Sequence, residues 1–520
     1  MALISSVASW LLKKRLHQID LFIEYPHEVQ NELLHRLIYQ AQDTEWGIKY
    51  KYSEIKSLKE FQKEVPISTY EDIEPFVNRL RQGEHNLLWP SETRWFAKSS
   101  GTTNSKSKFI PVTENSLSDC HYKGGKDMLA LFLENNPESE FLSGKTIAIA
   151  GSARLSEDSS SFVGDLSAIL MSNLPLWAQF TKSPNLSITL MDDWSKKVDL
   201  IVENTLEEDI RAISGVPSWM LVILEKVLEV SGKSSIKEVW PNFELVVHGG
   251  VNFAPYKERF KQIMGQKVNY QEVYNASEGF FAIQDSSKRD DLLLMLDYGI
   301  FYEFMPISEL GKENPNVIGL SEVELGENYA LIISTNAGLW RYMIGDTVVF
   351  TSLKPYRIKI SGRTKSFINI VGEELIVENA EYAIEHACEG TGAVIEEYTA
   401  APLVLNDGRI ILHEWLIEFK KEPENLNFFS ELLDNMLKAR NSDYEAKRFQ
   451  SMVLGFPLVH NVPKGTFLKW LQAQGKLGGQ FKVPRLANNT KITEELKKLI
   501  QNEFADYQFN ETKQSNKILP

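Results

Sequence analysis

Apolar positions along the first fifty residues recur at helical spacing. In "HEVQNELLHRLIYQAQDTEWG" Val29, Leu33, Leu37 and Ile38 fall on one stripe, which predicts a helix packed on the protein body and ended at Trp46-Gly47. The pattern then changes. Through the middle of the chain short β-rich runs, among them "GKTIAIAGS" and "FELVVHGG", alternate with helical stretches such as "VPSWMLVILEKVLEV". Such alternation predicts parallel sheets sandwiched by helices, with ligands at the carboxyl ends of the strands. "HGG" and "NASEG" fall where those ends are expected.

A third pattern follows, of successive apolar strands with turn residues between them: "LLLMLDYGIFYEFMPI", "VIGLSEVELGENYALIIST" and "GLWRYMIGDTVVF". This predicts antiparallel sheet. Beyond "GRTKSFINIVGEELIV" a helix is expected from about Glu378, then strands at "VIEEYTAAPLVL" and "GRIILHEWLIEF", a helix through Asn435 and a polar C-terminal helix. The expected division is a large α/β domain over residues 1–371 and a smaller, mobile α+β domain over residues 372–520. Its length of 520 residues supports this, because single cores stop growing at about 250 to 300 residues.

Composition narrows the class. With 43% hydrophobic and 24% charged residues the chain is ordinary globular protein, without room for a long disordered region. A formal net charge of −14 argues against nucleic acid or an anionic membrane as the main partner, so a small anion would need a locally basic pocket. Cys120 and Cys388 are too far apart in sequence for a CxxC site and too few for a disulfide framework. The N-terminal apolar run is short and is followed by its basic residues, the reverse of a secretory signal, so the expected location is cytoplasmic. "HEVQNELLH" lacks the HExxH spacing, which leaves His27 and His35 as helix-surface residues.

Chemistry concentrates in three separated fragments. "FAKSSGTTNSKSKFIP" joins Ser99, Ser100, Thr102 and Thr103 to Gly101, with Lys98, Lys106 and Lys108 close by. Hydroxyls donate to anionic oxygens, glycine lets the backbone approach, and lysine supplies charge, so a polyphosphate suits this loop. "YNASEG" offers Tyr274 as an aromatic face for adenine, Ser277 as a donor to an α-phosphate and Glu278 as a Mg²⁺ ligand. "YMIGD" offers Asp346 as an acceptor for two ribose hydroxyls. Taken singly, each has a plainer reading: a solvated loop, a core tyrosine, a surface carboxylate, a hairpin turn. One ATP would use all three together.

These fragments resemble the nucleotide motifs of the superfamily of acyl-CoA synthetases, peptide-synthetase adenylation domains and luciferases. With "VPISTYEDIEPFVNRLRQGEHNLLWP" upstream and "GGQFKVPR" downstream, the whole chain is similar to the Gretchen Hagen family of acyl-acid amido synthetases and its bacterial relatives. The resemblance implies adenylation of a small carboxylic acid by ATP, then transfer of the acyl group to an amine, expected to be an amino acid. An acyl-CoA ligase using the CoA thiol and a nucleotide-binding protein without catalysis are the alternatives. By the same resemblance Ser99, Ser100, Gly101, Thr102 and Thr103 form the phosphate loop and Gly249 and Gly250 border the adenine. Tyr274, Ala276, Ser277, Asp346 and Arg363 complete the nucleotide contacts, Glu278 holds Mg²⁺, and Lys482 bridges carboxylate and phosphate, with Lys476 its rival. Lys365 stands where many members carry an acidic hinge residue, and the plant-type "DKT" element is missing. The acyl pocket is expected between Asp119 and Trp219; the acid, the amine and the oligomeric state are left open.

Overall fold

The computed structural model describes residues 14–99, 108–151, 153–155, 161–174, 181–191, 193–250, 253–265, 267–364, 367–368, 373, 375–405, 410–441, 444–445, 448, 454–474, 482–487, 489–504 and 507–509. The chain divides into two compact units, residues 1–344 with 348–360, and residues 345–347 with 361–520. The crossings between them lie inside strands. The expected boundary at 371/372 falls on residues outside those described.

In the first unit the N-terminal segment is helical, over 14–24 and then Pro26–Ala41. The second helix starts on proline at its first turn, where the missing N–H costs nothing, and buries Leu33, Leu34, Leu37 and Ile38. It stops earlier than its apolar stripe predicts. Thr44 accepts from the Gly47 N–H and starts a new short helix, Glu45–Lys49, so Trp46 and Gly47 lie inside a second element instead of ending the first. His27 and His35 are exposed, as surface residues of a helix should be.

A mixed sheet spans the unit. Five of its strands, Lys182–Ser183, Lys145–Ala148, Ile210–Gly215, Leu245–Gly249 and Asn269–Ala276, lie side by side and parallel. The expected helix-covered parallel sheet is therefore present. The helices Trp194–Thr205, Pro217–Ser231 and Ala254–Met264 connect these strands, and their apolar faces form a cluster that includes Val202, Met220, Leu224, Phe260, Ile213 and Val246. Asn269–Ala276 then turns back into Gly279–Ile283, and Leu292–Leu294 continues the antiparallel run, as the third sequence pattern predicts. A separate four-stranded sheet contains Trp95–Ser99 paired antiparallel with Lys108–Val112. Those two strands flank the hydroxyl-rich loop.

The second unit is the expected α+β arrangement. Val394–Leu405 and Ile410–Lys421 form a long antiparallel pair, Leu458–Val462 adds in parallel, and the helices Val377–Thr391 and Leu426–Arg440 contribute Ala383, Ile384, Phe429 and Leu433 to one buried cluster. Among the described residues no helix is long and apolar enough to cross a membrane.

Candidate functional site

In the first unit Gly249, Gly250, Ser277 and Glu278 stand at the carboxyl ends of two neighbouring parallel strands. Leu245–Gly249 ends on Gly249, where a Cβ would stand 2.5 Å from the Val273 carbonyl oxygen, so only glycine lets the neighbouring strand lie this close. Gly250 follows at φ +81, a left-handed turn that carries the chain off the sheet. Since Gly249 pairs with Val273, the next strand runs three residues further, to Ala276. At about 3.3 Å per residue the hairpin tip stands roughly 10 Å beyond the glycine. A shallow step at the carboxyl ends of parallel strands is where ligands of open α/β sheets bind.

Ser277 and Glu278 are the two residues of that tip, between paired Ala276 and Gly279. Two-residue hairpin loops favour turns with positive φ, hence Asn and Gly, yet neither residue here is left-handed. Serine and glutamate were not placed for turn propensity. Both are half-buried and stand at the tip, a place from which a hydroxyl and a carboxylate can meet a phosphate and its cation. Below them the returning strand is irregular between Phe280 and Ala282, and Cys120 fills the gap by accepting the Phe280 N–H at 3.2 Å. Sequence reading gave Cys120 no role, and nothing in the sequence signals this contact.

Tyr274 is 5% exposed, with its ring 4.8 Å from that of Phe281 and inside the main apolar cluster. The plainer sequence reading, a core tyrosine, is the one this burial matches. His248, just before Gly249, is also buried. It stacks on Phe253 at 4.0 Å, and burial pushes it down to about 4, so it is neutral near pH 7 and carries no charge toward a phosphate. Ser99 is the last residue of Trp95–Ser99, paired through its backbone with Lys108. Ser100, Gly101, Thr102 and Thr103 lie outside the described residues, as do Lys365 and Lys476.

In the second unit three candidates lie near one another. Asp346 accepts from Arg363 Nε at 2.8 Å. Gly345, at φ +92, lets the strand bend there, and its carbonyl accepts the Thr364 N–H at 2.8 Å. Lys482 is pushed down from 10.5 to about 8, first by surrounding protein and then by the positive charge of Arg363, while Asp346 acts in the opposite sense. The residue itself is exposed, so water reaches the side chain, and the downward direction is what the neighbourhood supports. Its position is set from behind. Ala400 exchanges backbone hydrogen bonds with Arg485 and Ala487 at 2.9 Å, and Thr399 donates to the Pro484 carbonyl at 2.6 Å, which clips the segment after Lys482 to the long strand Val394–Leu405.

Among the described residues no group of three or more His, Cys, Asp or Glu side chains could cage a metal ion. A lone carboxylate such as Glu278 suits a Mg²⁺ that keeps its waters and binds mostly through substrate phosphates. The residues therefore fit that ion in the form the motif implies.

Comparison with known proteins decides the family. The models described as GH3 family N-terminal domain, central domain and C-terminal domain match residues 15–268, 293–363 and 378–491 in that order. This chain belongs to the GH3 family. An indole-3-acetic acid-amido synthetase of Arabidopsis thaliana, GH3.3, is 23% identical and aligned over 90% of each chain. A 4-substituted benzoates-glutamate ligase of the same plant, GH3.12, is 23% identical over 92% of this chain and 95% of its own. The jasmonoyl–L-amino acid synthetase JAR4 of Nicotiana attenuata is 22% identical over 92% and 94%. Among solved structures, the acyl acid amido synthetase GH3.15 in complex with 2,4-DB superposes with TM-score 0.77 at 18% identity, covering 94% of this chain and 96% of that one. A 2-hydroxyisobutyryl-CoA ligase in its postadenylation state gives 0.55 at 13% identity over 91% and 92%. The GH3 chain thus has the fold of adenylate-forming ligases.

Proposed function

We propose that this GH3 protein activates a small carboxylic acid with ATP and passes the acyl group to an amino acid, forming an amide. The observation that carries the reading is the unbroken order of the family's three domains along the chain, with the phosphate loop in the first, Asp346 in the second and Lys482 in the third. In the first half-reaction a carboxylate oxygen forms a bond to the α-phosphorus and the bond to pyrophosphate breaks, giving an acyl-adenylate. In the second, the amine nitrogen bonds to the acyl carbon and loses a proton, and AMP leaves with the electron pair of the cleaved C–O bond. The activation is needed because a free carboxylate is a poor electrophile, whereas AMP is a good leaving group.

The residues divide the labour. Ser277 donates to the α-phosphate, the hydroxyls from Ser99 to Thr103 hold the outer phosphates, and Gly249 and Gly250 admit the base against bare backbone. Asp346 accepts from the ribose hydroxyls with its geometry fixed by Arg363. Lys482, charged below about pH 8, brings the two anions together by donating to an oxygen of each. Mg²⁺ on Glu278 would neutralise phosphate charge and orient the leaving group.

A second reading replaces the amine with the thiol of CoA; the fold shared with the CoA ligase favours it, while the family's own relatives favour the amine. The experiment is ATP/pyrophosphate exchange across aromatic, indolic and aliphatic acids, followed by AMP release with amino acids or CoA. Acid-dependent exchange with amino-acid-dependent AMP release is expected. No exchange with any acid overturns the enzyme reading, and release driven only by CoA overturns the amide.

A further inference from the structure

The stretch "VPISTYEDIEPF" contributes none of the roles above, yet two of its residues, Ser68 and Tyr70, touch strands that lead to nucleotide motifs. Ser68 is 1% exposed and forms a one-residue parallel bridge to Tyr342, the first residue of the strand that leads to Asp346. Its N–H donates to the Arg341 carbonyl at 2.9 Å, its carbonyl accepts the Met343 N–H at 2.9 Å, and its hydroxyl donates to the Trp340 carbonyl at 2.6 Å. Arg341, between those partners, is a non-glycine residue at φ +42, a conformation that persists only where neighbours over-determine it. They do so here. The buried guanidinium pairs with Glu303 at 3.0 Å and donates to the carbonyls of Gln62 and Val65, at 3.0 and 2.8 Å, just upstream of Ser68.

Thr69 begins the helix Tyr70–Arg81, its N–H and hydroxyl both donating to Asp72 at 2.8 Å. Tyr70, 6% exposed, reaches the other way: its hydroxyl oxygen accepts the Phe109 N–H at 2.9 Å. Phe109 lies on Lys108–Val112, which continues from the phosphate loop and pairs with the strand entering it. From the far end of the same helix, Arg81 covers the Phe109 ring at 4.0 Å. One capped helix start therefore holds the phosphate-side strand with one residue and the ribose-side strand with another.

We infer that Ser68 and Tyr70 are positioning residues that fix, within the first unit, two stretches of backbone that lead to nucleotide motifs: the start of the strand at Tyr342 and the strand Lys108–Val112. This rests on the reading of Ser99 to Thr103 and Asp346 as nucleotide contacts. Neither residue touches the nucleotide; each acts through backbone that does.

The test compares wild type, Tyr70→Phe and Ser68→Ala by AMP and ATP binding calorimetry, exchange kinetics and melting. Tyr70→Phe keeps the ring and removes only the oxygen that receives the Phe109 N–H. It should raise the KM for ATP and pyrophosphate about twofold to tenfold and leave AMP affinity unchanged, because AMP lacks the outer phosphates. Ser68→Ala should weaken AMP and ATP together by a similar factor. Ser68→Thr, which retains the hydroxyl, should recover AMP affinity. A merely structural role would lower melting temperatures or the active fraction with KM unchanged, and that outcome overturns the positioning role. So would equal effects of Tyr70→Phe on AMP and ATP. Should Ser68→Ala fail to fold, the Tyr70→Phe contrast alone decides. If wild type itself binds neither AMP nor ATP, the nucleotide reading falls instead.

Discussion

Lys482 gives the most exposed prediction of the adenylation chemistry, because its neighbourhood fixes a pH. An ordinary lysine keeps its proton to about pH 10, but here surrounding protein and Arg363 push the ammonium down to about 8. The sign follows directly: the charged form that can bridge carboxylate and phosphate dominates below about pH 8 and is lost above it. The charge should therefore be lost at a lower pH than an ordinary lysine loses it, and ATP/pyrophosphate exchange should decline on the alkaline side from that point. Aminolysis of a presynthesised acyl-adenylate should move the other way, since the attacking amine must be unprotonated. Lys482→Ala should slow exchange by about 10² to 10³, the common loss for one preorganised stabiliser of transition-state charge, and should remove the alkaline limb. Lys482→Arg, charged at every accessible pH, should flatten the limb at a reduced rate. The assay is exchange between about pH 6 and about pH 10 with saturating acid. Exchange that stays level past pH 9.5, or an alkaline limb that survives in Lys482→Ala, would refute the assignment, and loss of exchange in Lys476→Ala with Lys482→Ala spared would move the role to Lys476.

Glu278→Gln should cripple exchange at ordinary Mg²⁺ with little change in melting, because the residue tops a hairpin; normal exchange, or a collapsed melting transition, would count against a metal role. Asp346→Ala should raise the AMP dissociation constant roughly tenfold to a hundredfold by calorimetry, with at most about 1 kcal/mol lost in stability from its half-exposed partner Arg363; unchanged affinity would remove the ribose role. Glu303→Ala leaves the Arg341 guanidinium buried without its carboxylate and should cost about 3 to 5 kcal/mol in denaturant unfolding, whereas a loss under about 1 kcal/mol would show that the pair is not what holds the left-handed backbone there.

How much of this was legible in the chain depends on how local each cause is. The strand ends at Gly249-Gly250 and near Ser277-Glu278 could be read directly, since β-rich runs give way there to small or polar residues, but the hairpin that Ser277 and Glu278 close was not among the expectations. The smaller α+β unit was legible for the same reason, its two long strands and two helices each being set by their own pattern. The end of the first long helix was misplaced because its apolar stripe outlasts it: Thr44 competes with the helix for backbone donors, and a cap of this kind outweighs a periodic pattern over one turn. Tyr274 shows a different limit. The alternation of a strand says that a ring points to one face, and only the packing of Phe281 against it says that this face is core.

The least legible features are those in which one segment's backbone completes another's. Ser68 lies in the upstream string that carries the family resemblance but has no role assigned there; its contacts are the carbonyls of Trp340 and Arg341 and the N–H of Met343, which no pattern around residue 68 announces. Cys120 is the same case at another strand, a thiol whose meaning is an irregularity at Phe280. Both support strands that lead to or carry nucleotide motifs, and none of the three nucleotide fragments contains them. A motif names the atoms that meet the ligand, whereas the precision of about 0.5 Å that catalysis requires is supplied by side chains locked behind those atoms. Tyr70 lies upstream of the phosphate loop and holds the strand that leaves it, so Tyr70→Phe is expected to weaken ATP while sparing AMP, as a change among the loop's own hydroxyls would, although the hydroxyl it removes meets the Phe109 backbone.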